Sequence, residues 1–336
     1  MLQSPSKRDL LARTLDITGC GRALNAVGAW DGILILNYHR VGDSSQSLFD
    51  RNLWSATDAD FDQQMGMIAK QFDVIGLPDF ERAMHERRGR YVMVTFDDGY
   101  LDNYTNAFPI LKRHGVPATF FLTTGFLDSQ QVSWWDEIAW MIRTTTVSSL
   151  EASRWVSTAI TLNESNREVA IRRLLNVYKG LPDEVTADYL TFLAETLQTG
   201  RCSTKAAHDM WMTWDMIREM KSNGMTFGGH TVTHPILANQ SSAQQDWEVG
   251  ECKRRLVEEL GEPIEAFSYP VGGRSSFNAF TRAALAKHGF RWGFSFIGGR
   301  YAHGSTDPFA INRAAIELDV TPSMFRAIAT LPQFFA

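Results

Sequence analysis

Residues 91–126 read YVMVTFDDGYLDNYTNAFPILKRHGVPATFFLTTGF, and this stretch decides the fold. Its apolar run Val92–Val94 is rich in β-branched residues and predicts a buried strand. An amphipathic segment follows, Gly115 ends that segment, and a second apolar run comes after the glycine. The pattern therefore predicts a strand, a helix and a second strand, which together form a β-α-β unit.

Two adjacent carboxylates, Asp97 and Asp98, follow the first of these strands. Neighbouring side chains on a regular strand point to opposite faces, so both can serve one site only if the backbone turns there. Gly99 allows such a turn because glycine readily adopts a positive φ. One Asp can then bind a metal ion while the other stays free as a base. Alone, an Asp-Asp-Gly sequence is more typical of an ordinary turn.

A second segment, HTVTH, places His230 and His234 four residues apart, which puts them on one face of a strand or of a helical turn. Gly228–Gly229 before the pair and Pro235 after it favour the exit of a strand into a loop. An isolated pair of this spacing is more often incidental. Together with one carboxylate, two neutral imidazoles suit zinc and leave positions open for water and substrate. The combination favours a metal-dependent hydrolase.

These motifs resemble those of the polysaccharide deacetylases of the NodB-homology group, carbohydrate esterase family 4. The resemblance rests on TFDDGY at 95–100, HTVTH at 230–234 and FSYPVG at 267–272, and it covers roughly residues 33–126 and 213–318. It implies an α/β fold, a distorted (β/α)7 barrel, and hydrolysis of an acetyl amide. The roles it implies are Asp97 as general base, one divalent metal ion on Asp98, His230 and His234, and an oxyanion and substrate site at Tyr269, Pro270 and Val271.

Two positions depart from the family pattern. Many members carry an Arg two residues before the proline of the third motif and a Tyr just after it, whereas this chain has Ser268 and Val271. The residue that orients Asp97 must therefore come from elsewhere. Arg274 and Arg313 are the candidates, although a surface ion pair is the alternative for either one.

The general acid needs a separate source, because the stretch after Arg313 lacks the leucine-histidine motif that usually supplies it. The YHRV segment at 38–41 follows an apolar strand and resembles the N-terminal motif of the poly-N-acetylglucosamine deacetylase branch. In that branch the order of motifs is circularly permuted, and the histidine of this motif is the acid. The resemblance assigns the role to His39, with a buried core histidine as the alternative.

The length of 336 residues and an apolar fraction of 44% predict one barrel-like domain with an insertion. We expect an N-terminal helical segment at 1–30 and a barrel at 31–336 that carries a helical insertion at about 131–210. Aromatic residues of the insertion form either a sugar-stacking platform or, as we favour, its own core. These residues are Trp134, Trp135 and Trp140.

The net charge of −5 and the lack of a long basic run argue against a nucleic-acid partner. Three widely spaced cysteines are typical of reduced thiols, and no leader-like segment or run of eighteen apolar residues is evident, so we expect a cytoplasmic protein. An amphipathic helical pattern at 9–27 with basic residues around it either packs on the barrel or makes peripheral contact with the inner face of the membrane.

Three functions compete at this point. The first is removal of N-acetyl groups from N-acetylhexosamine units of a glycan or its lipid-linked precursor, in exopolysaccharide or cell-envelope synthesis. The second is a related metal-dependent hydrolase that acts on an O-acetyl ester or a small cyclic amide. The third, a glycan-binding protein without catalysis, is disfavoured because a base and three metal ligands are all present.

Overall fold

The computed structural model describes residues 6–86, 88–302, 304–305 and 307–336, so residues 1–5 of the predicted N-terminal segment lie outside it. The strands are β1 Gly32–Tyr38, β2 Arg40–Val41, β3 Trp54–Ala56, β4 Asp73–Val74, β5 Arg90–Phe96, β6 Ala118–Leu122, β7 Ser149–Leu150, β8 Ile160–Thr161, β9 Thr226–Gly229, β10 Ala266–Ser268, β11 Trp292–Phe294 and β12 Ala314–Ala315. The helices are α1 Lys7–Ile17, α2 Cys20–Val27, α3 Asp58–Gln71, α4 Phe80–His85, α5 Phe108–His114, α6 Thr124–Ser129, α7 Trp134–Thr144, α8 Arg167–Lys179, α9 Thr186–Thr196, α10 Trp214–Ser222, α11 Ser242–Leu260, α12 Ala279–Lys287, α13 Pro322–Thr330 and α14 Pro332–Phe335.

Seven parallel strands form the central sheet, in the order β11-β10-β9-β6-β5-β1-β12, and β4 pairs with the start of β5. The segment before β12 also reaches back to β11, where Ile311 forms a parallel bridge with Phe294. The two ends of the sheet therefore meet, and the strands enclose a barrel. This confirms the α/β fold and the distorted (β/α)7 barrel that the motifs predicted.

The strands are apolar on both faces because helices cover the outside and side chains fill the inside. In β1, Ile33 and Ile35 belong to a buried cluster with Met93, whereas Leu34 and Leu36 belong to the larger cluster that includes the helices. Because side chains alternate along a strand, Asn37 lies on the same face of β1 as Ile33 and Ile35. In the same way, Thr95 and Asp97 continue the face of β5 that carries Met93. The barrel interior thus changes from apolar to polar toward the C-terminal ends of its strands.

The β-α-β unit of the first motif forms as the sequence predicts. A π-helical turn at Asn103–Ala107 leads into α5, and Gly115 ends this helix in the left-handed conformation with a φ of 64°. The chain then returns as β6, which pairs in parallel with β5. The carboxyl ends of both strands open toward the same end of the barrel, where active sites of such barrels lie.

A helical subdomain interrupts the barrel between β6 and β9. Its helices α7, α8 and α9 pack on one another, and a short antiparallel pair, β7 and β8, joins α7 to α8. Trp134 and Trp135 at the start of α7 are buried, and Trp140 is half-buried. Trp134 stacks on Tyr178 of α8 with a centroid distance of 4.1 Å, which ties the two helices together.

The N-terminal pattern forms two helices instead of one. Gly19 adopts a φ of 74° and separates α1 from α2, because a glycine in this conformation ends a helical run. Helix α1 is fastened to α13, where Asp16 accepts hydrogen bonds from Ser323 and Arg326. Within the described residues, no helix is both long and apolar enough to cross a membrane.

Candidate active site and metal centre

A buried ion pair lies where the barrel interior turns polar. Arg313 precedes β12 and is only 1% exposed. Its guanidinium binds Asp97 in a bidentate manner, from Nη1 to Oδ1 at 2.8 Å and from Nη2 to Oδ2 at 2.7 Å. The same group donates to the Asn37 side chain, the Ser268 hydroxyl and the Ser295 carbonyl. All five guanidinium N–H donors therefore have acceptors, which fixes the plane of the Asp97 carboxylate.

Beside this pair, Asp98, His230 and His234 form a buried cluster whose ligand atoms lie within 4.8 Å of one another. The Nε2 atoms of both histidines lie 3.4 Å from Asp98 Oδ1. His230 Nδ1 donates to the Ser268 carbonyl at 2.8 Å, so in the neutral ring it is Nε2, on the side of the cluster, that carries the lone pair. Asp98 Oδ1 has no hydrogen-bond partner among the described residues. A buried carboxylate oxygen of this kind, facing two imidazoles, fits a divalent cation.

The pKa values suit this arrangement. Burial alone would raise the pKa of Asp97, but the charge of Arg313 outweighs it and holds the pKa well below its usual range. Burial likewise opposes ionisation of Asp98, yet the imidazoles of His230 and His234 beside it keep its pKa lowered. Burial lowers the pKa of His234 to about 3. At neutral pH, His234 is therefore a neutral imidazole, the form that coordinates metal.

Unusual backbone conformations cluster at the site. Asp98, Thr231, His234 and Val271 have φ values of 76°, 67°, 57° and 62°, in the left-handed region that non-glycine residues rarely adopt. The turn after β5 thus uses Asp98 itself as well as Gly99, whose φ is 95°. Such strain persists only where surrounding contacts hold it, and it is typical of functional sites.

A buried carboxylate holds the HTVTH loop in this strained shape. Glu248 of α11 accepts the backbone N–H groups of Val232 at 2.7 Å and Thr233 at 3.0 Å, and it also binds the Thr233 hydroxyl. The Thr231 hydroxyl accepts the His234 N–H at 2.9 Å. The loop that carries the two histidines is therefore held by hydrogen bonds to the Glu248 carboxylate and to the Thr231 hydroxyl.

The third motif supplies one wall of the site. Val271 lies beside the metal cluster in the same cavity, and its backbone N–H donates no hydrogen bond within the described part of the chain. Tyr269 stacks on Phe277 at a centroid distance of 3.9 Å and donates its hydroxyl to the Phe309 carbonyl, while Pro270 is buried. Tyr269 and Pro270 support the loop, and the Val271 N–H stays available to an oxyanion.

His39 lies next to Asp97, the carboxylate that is not a candidate metal ligand. Its Nε2 is 4.0 Å from Asp97 Oδ2, and its side chain is 21% exposed. The ring packs edge-on against Phe296 at a centroid distance of 5.8 Å. His39 lines the same cavity as Asp97 and the metal cluster, so it is not a satisfied core histidine.

This cavity measures about 340 Å³, and the helical subdomain forms part of its wall. Trp134 and Trp135 line it, although both also fill the core of the subdomain, so the two alternatives for these residues are not exclusive. Trp135 lies edge-on to His234 at 4.3 Å, and its Nε1 donates to the Tyr100 hydroxyl at 2.8 Å. The subdomain therefore supports a metal-ligand candidate directly.

The structure separates the two arginine candidates. Arg313 is the partner of Asp97, whereas Arg274 is exposed on the loop after Gly272 and is not among the described partners of that carboxylate. Sequence reasoning missed Asn37, which donates to Asp97 Oδ2 at 3.3 Å and accepts from Arg313. The alternation Ile33, Ile35, Asn37 carries a signal for it, because a polar residue continues an interior-facing apolar series.

Comparison with models of known protein families shows to which family the chain belongs. A polysaccharide deacetylase family model matches residues 85–157 and 181–293, which is more than half of the chain. The chain belongs to the polysaccharide deacetylase family. The family that the motifs predicted is therefore confirmed, and the matched residues include Asp97, Asp98, His230 and His234.

Two relatives show how much of the chain is shared. YxkH of Bacillus subtilis is 21% identical over 236 residues, which is 70% of this chain and 55% of that protein. The poly-beta-1,6-N-acetyl-D-glucosamine N-deacetylase of Staphylococcus epidermidis is 34% identical over 110 residues, which is 29% of this chain and 37% of that protein. The chain thus spans about half or less of the length of these curated relatives.

Solved structures share the fold along almost the whole chain. The Streptococcus pyogenes deacetylase PplD has a TM-score of 0.59 at 20% identity, covering 91% of this chain and 98% of its own. IcaB from Ammonifex degensii has a TM-score of 0.55 at 21% identity, covering 90% and 97%. At such identities the similarity establishes the common fold.

Proposed function

We propose that the protein is a metal-dependent N-deacetylase that acts on N-acetylhexosamine units of a glycan or of its lipid-linked precursor, in exopolysaccharide or cell-envelope synthesis. One observation supports the proposal most directly. A single cavity contains three candidate metal ligands, a further carboxylate that is paired with Arg313, and His39 next to that carboxylate. The poly-N-acetylglucosamine deacetylase activity in the name of the Staphylococcus epidermidis relative supports this choice of substrate.

Asp98, His230 and His234 would hold the ion, and zinc suits one carboxylate and two imidazoles. When bound, such an ion would supply Lewis acidity to activate water and the acetyl carbonyl. Asp97 accepts the proton of the attacking water, because its carboxylate is ionised and is oriented by Arg313. The Val271 N–H donates to the oxygen that becomes negative.

The leaving group of this reaction is an amine, which departs poorly unless it is protonated. His39 provides that proton to the amide nitrogen as the C–N bond breaks, while the hydroxyl of water stays on the acetyl carbon. The products are acetate and a free amino sugar. An acid beside the base suits amide hydrolysis, because an unprotonated amine leaves very poorly.

Acetate release tests the proposal. The zinc-loaded protein is incubated with poly-β-1,6-N-acetylglucosamine or chitooligosaccharides, and acetate is measured against an Asp97→Asn control. We expect release from the N-acetylated glycan and a loss of about 10²–10⁴ in rate for the variant. Release from O-acetylated glycans alone would refute the N-deacetylase assignment and support the esterase alternative.

We also propose that α1 and α2 contact an anionic membrane surface peripherally. Leu10, Leu11 and Ile17 of α1 are exposed by 62%, 51% and 85%, and Val27 at the end of α2 by 78%. Exposed basic side chains, including Lys7 and Arg13, lie among the apolar ones on α1. Exposed apolar residues next to cations are typical of helices that lie in the interface of anionic lipids.

Vesicle flotation tests this contact. The full chain should float with phosphatidylglycerol-rich vesicles and much less with phosphatidylcholine vesicles, and Leu10→Ser with Leu11→Ser should abolish flotation. Phe280→Ser is the matched control, because Phe280 is a large apolar residue that is also 62% exposed but belongs to α12. Equal flotation of the wild type and the double variant would contradict the proposal.

A further inference from the structure

Asp50 is a buried carboxylate of the cavity that the reaction does not use. It precedes the short 3-10 turn Arg51–Leu53, is only 5% exposed, and lines the cavity together with His39 and Asp97. Its Oδ1 accepts the Asn52 backbone N–H at 3.1 Å and the Asn52 side-chain amide at 2.8 Å. For Oδ2, the described residues provide no hydrogen bond. One oxygen of a nearly buried carboxylate thus lacks a protein donor.

Such an oxygen can accept a hydrogen bond from a donor in the cavity, because a nearly buried carboxylate is costly without hydrogen bonds. Burial raises the pKa of Asp50, which reflects this cost, and the charge of Lys179 opposes the effect. Lys179 forms no ion pair within 4.0 Å in the described part of the chain, so it does not satisfy the free oxygen. A donor in the cavity, from solvent or from a bound substrate, can do so.

Asp50 is also held rigidly relative to the metal cluster. Its backbone N–H donates to Asp136 Oδ1 at 2.9 Å. Asp136 Oδ2 accepts the Tyr100 hydroxyl at 2.7 Å and the Ser133 hydroxyl at 2.8 Å. Tyr100 lies two residues after Asp98, so a short buried chain of hydrogen bonds links Asp50 to the loop of the metal cluster. An acceptor held at a fixed distance from the reacting groups can select the orientation in which a substrate binds.

We infer that Asp50 is a substrate-positioning residue whose Oδ2 accepts a hydrogen bond from a hydroxyl of the sugar ring that carries the acetamide. This deepens the proposed function and rests on it. Asp97, His39 and the Val271 N–H address the acetamide group, which leaves the ring hydroxyls to the remaining cavity wall. A hydroxyl donor suits a carboxylate acceptor, and the free oxygen is the one not engaged by Asn52.

Asp50→Asn isolates this oxygen. The variant keeps one oxygen to accept from Asn52 and cap the turn, but it replaces the free acceptor by an NH₂ donor. For an N-acetylated glycan we expect kcat/KM to fall by about 10- to 100-fold, mainly through KM, because a hydrogen bond to a charged group is lost. With 4-nitrophenyl acetate, which has no sugar hydroxyl, we expect rates within about twofold of the wild type. Asp43→Asn is the control, because Asp43 is exposed in the same loop.

Substrate analogues make the test independent of how well the variant folds. Among monodeoxy analogues of the acetylated sugar, we expect one to lose the same 10- to 100-fold with the wild type and to lose nothing further with Asp50→Asn. A wild type that treats all monodeoxy analogues alike would overturn the inference, and so would a variant that loses glycan and aryl acetate activity equally. A wild type that cleaves the aryl acetate but no N-acetylated glycan would instead refute the proposed function itself.

Discussion

The role of Arg313 is best tested by Arg313→Lys, which keeps the positive charge and removes the fork geometry. A lysine ammonium has three donors on one nitrogen, so it cannot reach both oxygens of Asp97 and also the Asn37, Ser268 and Ser295 acceptors that Arg313 binds now. At least two of the five acceptors lose their donor. With about 1–2 kcal/mol for each, the free energy of unfolding should fall by about 2–4 kcal/mol.

The effect on activity follows from the position of the base. Without two parallel hydrogen bonds the Asp97 carboxylate can rotate, and a displacement of about 1 Å at a reacting group costs on the order of 10² in rate. Zinc content should stay at one equivalent, because Asp98, His230 and His234 make no hydrogen bond to Arg313. Activity is followed by acetate release, metal by elemental analysis, and stability by urea unfolding. Arg274→Lys is the matched control and should resemble the wild type.

A double variant decides whether Arg313 acts through Asp97. If it does, Arg313→Lys combined with Asp97→Asn should be no slower than Asp97→Asn alone, because the base is already lost. A further loss of 10² in the double variant would refute this reasoning and show that Arg313 contributes to the reaction in another way. Normal activity of Arg313→Lys would show that orientation of the carboxylate does not depend on the bidentate pair.

Three further predictions concern separate parts of the site. His39→Ala should lower acetate release from a glycan by about 10²–10⁴ while aryl acetate hydrolysis falls much less, since a phenolate needs no proton to leave; equal losses would contradict the role of acid. His230→Ala combined with His234→Ala should abolish metal binding in elemental analysis, and a full equivalent of retained metal would show that the ligands are elsewhere. Burial raises the pKa of Asp136 from 3.8 to about 6, so the folded state binds the proton of this carboxyl more tightly than the unfolded state does. The stability gained from this proton is complete below about pH 3.8 and is lost as the pH rises through 6. Between pH 4 and 7 the wild type should therefore lose about 3 kcal/mol of unfolding free energy relative to Asp136→Asn in urea titrations, and parallel pH profiles would refute the buried-carboxylate explanation.

The local motifs were readable in the sequence because their geometry is set within a few residues. Asp97 and Asp98 follow a strand whose apolar run is unmistakable, and a glycine next to them permits the turn. His230 and His234 lie on one loop, and their spacing together with the nearby carboxylate suggests a shared ion. The family and the barrel were inferred from the resemblance of these segments to known motifs, and the strand ends of an α/β barrel gather at one face.

The tertiary structure decided which distant residues complete the site. Asp97 and Arg313 lie 216 residues apart, and nothing in the local sequence of either one distinguishes Arg313 from Arg274. Their pairing depends on closure of the barrel, in which β12 pairs with β1 and the segment before β12 meets β11. Asp50 is similar, because its position depends on a hydrogen bond to Asp136, 86 residues away in the helical subdomain. The candidate catalytic and metal-binding residues could therefore be predicted from short stretches of sequence. The residues that orient them depend on long-range packing, because packing buries polar groups and each buried polar group then needs a hydrogen-bond partner.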